Sequence, residues 1–277
     1  MRIVRYEDAG TEKFGILQGA RILPTGAQTL QEALTAQPRP GDGVSLDGVR
    51  LLAPVARPRK ILGIGVNYAA HAAESVSFVD TSSPVQKWFN KQATSANAPF
   101  GQVHLPKVSD QLDYEVELVA VIGKHGRHVP RERAMEIVAG FCVGCDYSVR
   151  DWQKASQTMI MGKGFDTHAP FGPAIVTPDE IDDLGALELR SYVNGELRQH
   201  GHVRDMIHDV PAQIAHLTAA FTLEPGDLIF TGTPAGVGAG FDPPKWLKAG
   251  DRVRVEIDQL GGFENEIVRE AGETVIY

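Results

Sequence analysis

Asp113-Tyr-Glu-Val-Glu-Leu-Val-Ala-Val-Ile122 changes character halfway along: acidic and apolar residues alternate at first, and then every residue is apolar. An extended chain sends successive side chains to opposite faces, so Asp113, Glu115 and Glu117 fall on one face and Tyr114, Val116 and Leu118 on the other. The continuation from Val119 to Ile122 has no polar face. The strand therefore enters the interior, and its acidic end opens on a cavity. Residues two apart in a strand have Cα atoms roughly 6.5 to 7 Å apart, near enough for two carboxylates to reach one ion. A bare Glu-x-Glu pair is more often the solvated face of a strand. The buried continuation shifts that balance, and so does Asp146, a third carboxylate directly after the apolar stretch ending at Cys145. Three carboxylates form an all-oxygen donor set, which suits Mg²⁺ or Mn²⁺ better than zinc and leaves waters that a substrate can displace. With a dication they leave about one net negative charge, so an anionic substrate calls for separate cations. Arg150 and Lys163 are the nearby candidates.

Working outward, strand patterns cover residues 60–64, 114–122, 137–143, 187–193, 227–231 and 252–257. Their order is not the regular strand and helix alternation of a doubly wound sheet. Asn194-Gly195 between two β-like runs predicts a hairpin, because both positions tolerate positive φ. Helical periodicity covers 210–221, with Ile214, Leu217 and Phe221 on one face, and stops before Glu224-Pro-Gly-Asp227. The N-terminal stretch alternates β-like runs at 2–6, 14–18 and 20–23 with glycine turns, followed by a short helix at 29–35 and a Pro-marked junction at 52–59. The whole reads as a sheet-dominated α+β chain, with a small β-rich N-terminal domain over 1–55 and a larger domain over 56–277.

The 277 residues are 43% hydrophobic and 22% charged, an ordinary globular composition. A formal net charge of -8 with no basic run argues against nucleic acid as partner. No secretory signal and no membrane-spanning apolar stretch is present, so a cytoplasmic location and no membrane partner are expected. Cys142 and Cys145 have C-x-x-C spacing, but two thiolates cannot complete a zinc shell, and the pair interrupts an apolar run instead of opening a helix. They are expected to be small buried residues in a reducing compartment.

A second unit is Gly65-Val-Asn-Tyr-Ala-Ala-His71-Ala-Ala-Glu74. Asn67 is placed to N-cap a short Ala-rich helix that carries His71 and Glu74 on one face. A carboxylate beside an imidazole raises its basicity and fixes its orientation, the arrangement of a general-base dyad. Gly63-Ile-Gly65 lacks the third glycine of a dinucleotide fingerprint, and Thr231-Gly-Thr-Pro-Ala-Gly-Val-Gly238 lacks the ending of a P-loop. The latter suits a carboxylate, through the Thr233 hydroxyl and backbone N–H groups.

Taken in order over about residues 60–268, these pieces resemble the fumarylacetoacetate hydrolase superfamily, in its acylpyruvase or diketo acid hydrolase-like branch. Phe89-Asn-Lys91, Asp146-Tyr-Ser-Val-Arg-Asp-Trp-Gln153, Gly162-Lys-Gly-Phe-Asp166, Pro170-Phe-Gly-Pro173, Asn194-Gly-Glu-Leu-Arg-Gln199 and Pro225-Gly-Asp-Leu-Ile-Phe-Thr-Gly-Thr-Pro234 complete the match. The resemblance implies a folded-over mixed β-sheet (β-roll) domain, a homodimer, and one Mg²⁺ or Mn²⁺ held by Glu115, Glu117 and Asp146. It implies that His71 and Glu74 act as base on a mobile lid, with Lys163 assisting, and that Arg150, Gln153, Lys163, Thr233, Lys91 and Gly232 serve substrate binding. Cys145, where many members have Asn, and Gly262-Phe-Glu-Asn265 depart from the usual pattern.

The expected substrate is a small anionic oxo acid that chelates the ion through carboxylate and keto oxygens, so that a carbanion beside the keto group becomes an enolate. Hydrolysis of a C–C bond in a 2,4-dioxo acid of acylpyruvate, fumarylpyruvate or diketo sugar acid type is the first choice; hydrolysis and decarboxylation rank above isomerisation because the His-Glu dyad is intact and the resemblance associates that dyad with C–C cleavage. Decarboxylation of an oxaloacetate-type acid and isomerisation of a 2-hydroxymuconate-type diacid are the alternatives on the same site. A non-catalytic binding protein is a further alternative. The choice of substrate is assigned to residues 75–88.

Overall fold

Val116–Ile122 is a strand in which all seven residues are buried. In the computed structural model, which describes residues 1–39, 41, 43–75 and 85–276, it lies inside a twelve-stranded mixed sheet. It pairs antiparallel with Val138–Cys145 on one side and Leu228–Phe230 on the other. Ile61–Gly65 then runs parallel to Leu228–Phe230, and Lys87–Lys91 ends the sheet at that edge. In the other direction Val138–Cys145 pairs with Ala169–Val176, whose next neighbour is Arg2–Asp8. The strands Thr11–Gln18, Arg21–Pro24 and Val44–Ser45 carry the same sheet onward. A second sheet of five strands runs in the order Glu196–His202, Glu188–Val193, Arg252–Ile257, Gly261–Arg269 and Val103–Leu105.

The uninterrupted apolar run follows from burial on both faces. Val116, Leu118, Ala120 and Ile122 pack into a cluster with Leu189, Val253, Val255 and Phe263 of the second sheet. Val119 and Val121 point the other way, toward Phe171, Phe230 and the Leu30–Ala33 helix. Each buried Val, Leu, Ile or Phe among them contributes roughly 1.5 to 3 kcal/mol by leaving water. The fold is thus sheet-dominated α+β, with sheet packed on sheet around the strand that leads to the acidic residues.

Most predicted elements are present, with informative differences. The hairpin turn has φ of 52° at Asn194 and 82° at Gly195, with Val193 opposite Glu196. Both values lie in the region that a type I′ turn requires. The helix Val210–Ala220 starts at Asp209, whose side chain accepts from Ala212 N. It ends one residue before Phe221, whose extended backbone leaves it 37% exposed instead of on the buried face. The acidic strand is also broken. Leu112–Asp113 pairs with Ser148–Val149, and Tyr114 and Glu115 belong to no strand, so Asp113 does not share a face with the two glutamates. Cys142 and Cys145 are free and buried in different clusters, and burial pushes both thiols up, as expected of inert packing residues.

His168, just before Ala169–Val176, is fully buried. Its ring stacks on Phe165 at 5.5 Å and its Nε2 lies 2.8 Å from the His104 carbonyl. Burial, opposed by that hydrogen bond and aided by the Lys91 charge, holds its pKa down to about 3 against an ordinary 6.5. The unfolded chain therefore takes up this proton at a pH where the folded chain does not, so the folded state is destabilised as pH falls below about 6.5. A loss of about 1 to 2 kcal/mol between pH 6.5 and 5 is expected from this residue. Thermal melts across that range should show His168→Gln with a flatter dependence than the wild type; parallel curves would assign the acid limb elsewhere.

Candidate active site

Three carboxylates meet where the two central strands end. The amide of Asp146 donates to the carbonyl of Glu115 at 2.8 Å, and Val116 stands opposite Cys145. That register sets Asp146 beside the two glutamates, and one oxygen from each of Glu115, Glu117 and Asp146 lies within 4.8 Å of the others. All three are buried. Packing like charges out of water is unfavourable unless cations or a metal ion answer them.

Three cations do so from three separate segments. Lys163 Nζ lies 2.6 Å from both Glu115 and Asp146, and 4.7 Å from the centre of the Phe89 ring. Arg150 reaches Glu115 at 2.7 Å and Asp113 at 2.9 Å. Lys91 donates to Asp146 and to the Tyr147 carbonyl. The responses differ. Burial works against the charge on Glu115, but Lys163 and Arg150 outweigh it and hold the carboxyl below its ordinary range. For Lys163 burial is likewise overcome by Asp146 and Glu115, which keep the ammonium charged. Glu117 has no ion-pair partner among the described residues; burial, then Asp146 and Glu115, push it well above the ordinary carboxylate range, against the Lys163 charge and a hydrogen bond from Gly232 N.

That imbalance is where a metal ion fits. Four buried carboxylates, Asp113, Glu115, Glu117 and Asp146, face three buried cations, so ionisation of all four would leave one negative charge in excess, which Glu117, the one without a cation among the described residues, resists taking. A dication held by Glu115, Glu117 and Asp146 would turn the excess to about one positive charge, which suits an anionic ligand. The all-oxygen donor set suits a hard ion.

A small cavity of about 20 Å³ opens over this group. His71, Glu115, Glu117, Arg150, Gln153, Lys163 and Thr233 line its polar side, and Ile64, Val66, Phe89 and Met159 its apolar side. Val66 and Met159 both have φ of 59°, an uncommon conformation for residues with side chains. Met159 Sδ accepts from Gln153 Nε2 at 3.5 Å. His71 Nδ1 lies 2.7 Å from Glu74 Oε1, so the two expected base residues do pair. Of the stretch 75–88 given the choice of substrate, residues 76–84 lie outside the described residues.

Several expected contacts fall elsewhere. Lys91 is not on the cavity wall: its ammonium lies beneath Asp146, fully buried. Gly232 N is committed to Glu117, so it steadies an acidic residue where a substrate contact was expected. The Thr233 hydroxyl donates to the Val116 carbonyl at 2.8 Å and accepts from Gln199 Nε2 at 2.7 Å. Asn67 does not cap the Ala69–Ser75 helix. Its amide donates to the carbonyls of Thr231 and His208 and accepts from His208 N. Sequence reasoning missed Gln199 as the residue that ties Thr233 to the Val116 amide; its position after the Asn194-Gly195 turn was the available signal.

Comparison with known proteins agrees with this arrangement. Residues 60–268 match the family described as fumarylacetoacetate (FAA) hydrolase C-terminal, and residues 1–54 match the description Rv2993c-like, N-terminal. A mitochondrial oxaloacetate tautomerase, fahd2 of Xenopus laevis, is 42% identical over 252 residues, covering 89% of this chain and 77% of that protein. The crystal structure of a 5-carboxymethyl-2-hydroxymuconate delta-isomerase from Mycobacterium smegmatis superposes with a TM-score of 0.83 at 32% identity, over 98% of this chain and 100% of that one. A fumarylacetoacetate hydrolase from the psychrophile Exiguobacterium antarcticum gives 0.84 at 33% identity, again over 98% and 100%. With the carboxylate group, its cations and the cavity all inside the matched span, the chain belongs to the fumarylacetoacetate hydrolase family.

Proposed function

We propose that the chain is an enzyme that moves a proton at the carbon beside the keto group of a small 2-oxo acid, with keto–enol tautomerisation of an oxaloacetate-type acid as its reaction. The observation that carries this reading is His71, which lines the same cavity as Glu115 and Glu117 of the three-carboxylate group and pairs through Nδ1 with Glu74 at 2.7 Å. The 42% identity to an oxaloacetate tautomerase supports the choice of reaction. A Mg²⁺ or Mn²⁺ ion held by Glu115, Glu117 and Asp146 would polarise the keto and carboxylate oxygens of the acid and acidify the neighbouring C–H.

The chain's own residues supply the rest. With His71 Nδ1 held by Glu74, proton exchange falls to Nε2, and the carboxylate stabilises the imidazolium that forms. Lys163, kept charged by two carboxylates, offers positive charge beside the reacting acid. Arg150 donates to Gln153 Oε1 at 3.0 Å, which orients that amide at the cavity wall. The apolar side formed by Ile64, Val66, Phe89 and Met159 keeps water from the carbon that exchanges its proton. A cytoplasmic location remains part of the proposal: no helix among the described residues is long and apolar enough to cross a membrane, while the tautomerase relative is named mitochondrial.

Hydrolysis of a C–C bond in a 2,4-dioxo acid is the second reading, favoured by the same dyad, which can take a proton from water instead of carbon. Enol-oxaloacetate, acylpyruvates, fumarylpyruvate and diketo sugar acids should be assayed with Mg²⁺ and with Mn²⁺. Accelerated ketonisation without acylpyruvate cleavage supports tautomerisation; cleavage without acceleration replaces it with hydrolysis. No turnover of any member would favour a binding protein.

The metal centre has its own test. Mg²⁺ or Mn²⁺ should raise the melting temperature, and oxalate should add to the effect, by about 2.7 kcal/mol at a hundredfold excess over Kd. Asp146→Ala should abolish this response, and a wild type indifferent to both ions would remove the metal from the reading. His71→Ala should keep the response while kcat falls by roughly 10²-fold or more, the usual contribution of a positioned base. Unchanged turnover in that variant would take His71 out of the reaction.

A further inference from the structure

Asp113 begins the acidic stretch yet takes no part in the group of three carboxylates, and it is fully buried. Its Oδ1 accepts from Tyr114 N at 2.9 Å and Gly238 N at 2.6 Å; its Oδ2 accepts from Ala239 N at 2.9 Å and Arg150 Nε at 2.9 Å. Two chains of contact leave this carboxylate. Through Arg150 one reaches Glu115 at 2.7 Å and Gln153 at 3.0 Å. The other runs through the loop 236–239. Gly236 N donates to both oxygens of Glu74, at 3.1 and 3.0 Å, and the Gly236 carbonyl accepts from the Tyr114 hydroxyl at 3.1 Å. The Ala69–Ser75 helix therefore rests its glutamate on a peptide that Asp113 and Tyr114 hold in place. The contact is close: a Cβ built on Gly240 would stand 2.5 Å from Glu74 Oε2.

We propose that Asp113 is a positioning residue that couples the two halves of the site, orienting Glu115 and Gln153 through Arg150 and fixing the loop on which Glu74, and hence His71, docks. This rests on the reading of His71–Glu74 as the base and Glu115 as a metal ligand. The physical reason is the number of donors that a single ionised carboxylate satisfies. An isosteric amide at this position must turn an N–H toward donors on one side, leaving either the Arg150 guanidinium and the Ala239 amide or the Tyr114 and Gly238 amides without an acceptor in a buried place. Movement of the loop then withdraws the Gly236 amide from Glu74.

Two variants separate this from a general loss of structure. Gly240→Ala adds one methyl against the flexible end of Glu74 and touches neither Asp113 nor a metal ligand. It should lower kcat roughly tenfold while KM and the Mg²⁺ response stay within about twofold, since only the orientation of the base changes. Asp113→Asn should lower kcat by roughly 10² and also raise KM, and adding Gly240→Ala to it should cost little more, because both act on the same docking. Should Asp113→Asn fail to fold, Tyr114→Phe, which removes only the hydroxyl held by Gly236, takes its place in the same cycle with a loss of roughly threefold to tenfold. Hydrogen exchange over residues 69–75 with Mg²⁺ and oxalate needs no substrate, so it decides the coupling even if the wild type turns over none of the panel. Weaker protection of that helix in Asp113→Asn, or in Tyr114→Phe, and in Gly240→Ala supports the proposal. Wild-type protection, or strictly additive losses in kcat, would overturn it.

Discussion

Everything near the site answers to one electrostatic constraint: carboxylates that cannot reach water stand within a few ångströms of each other. Carboxylates in such a place exist only if the fold delivers positive charge to them. Lys91 arrives from an edge strand, Arg150 from the first position of the short helix Arg150–Lys154, and Lys163 from a short helix beyond it. Three unrelated pieces of chain are thereby committed to one point, with Asp113 and the 236–239 loop arranged around them. Glu117, left without a cation, is the remaining tension, and it marks the position at which a metal ion would be held.

The cost of that arrangement is met by the sheets. Val116–Ile122 is packed on both faces, so its register against Val138–Cys145 is strongly specified, since a slip of one residue would exchange its two buried faces. The same register brings Asp146 to Glu115. Precision at the acidic end thus derives from apolar packing several residues away. The reaction remains the more adjustable layer: His71 and Glu74, the proposed base, sit on one short helix outside the sheet, and the relatives carry names of a tautomerase, an isomerase and a hydrolase on this one fold.

What was legible in the sequence was local in origin. Glu115, Glu117 and Asp146 could be read from an alternation that runs into apolar stretches, and His71–Glu74 from helical spacing. The hairpin at Asn194-Gly195 and the helix after Asp209 carried signals within a few residues. What escaped depended on partners far along the chain. Asn67 looked like a helix cap, but its amide is bound to residues 208 and 231. Asp113 looked like a fourth acid on the strand, whereas a break at Tyr114 and donors at 150, 238 and 239 decide its role. Lys91 was assigned to substrate by resemblance, and only the sheet order reveals that its side chain passes under Asp146. The ranking of C–C cleavage, by hydrolysis or decarboxylation, above isomerisation rests on the dyad, and that dyad serves proton transfer from carbon equally well.

The placement of Lys91 has a consequence of another kind. Among the described residues Lys87–Lys91 is the terminal strand of the large sheet at that end, and a terminal strand can recruit strands from other molecules. Another molecule that pulled this strand out of register would drag an ammonium away from Asp146 and leave both charges stranded. At the opposite end the sheet tapers through the N-terminal strands to Val44–Ser45, only two residues long and too short to template a neighbour. Among the described residues, each end of the twelve-stranded sheet thus carries a feature that disfavours strand addition: an ammonium committed to Asp146 at one, a two-residue strand at the other.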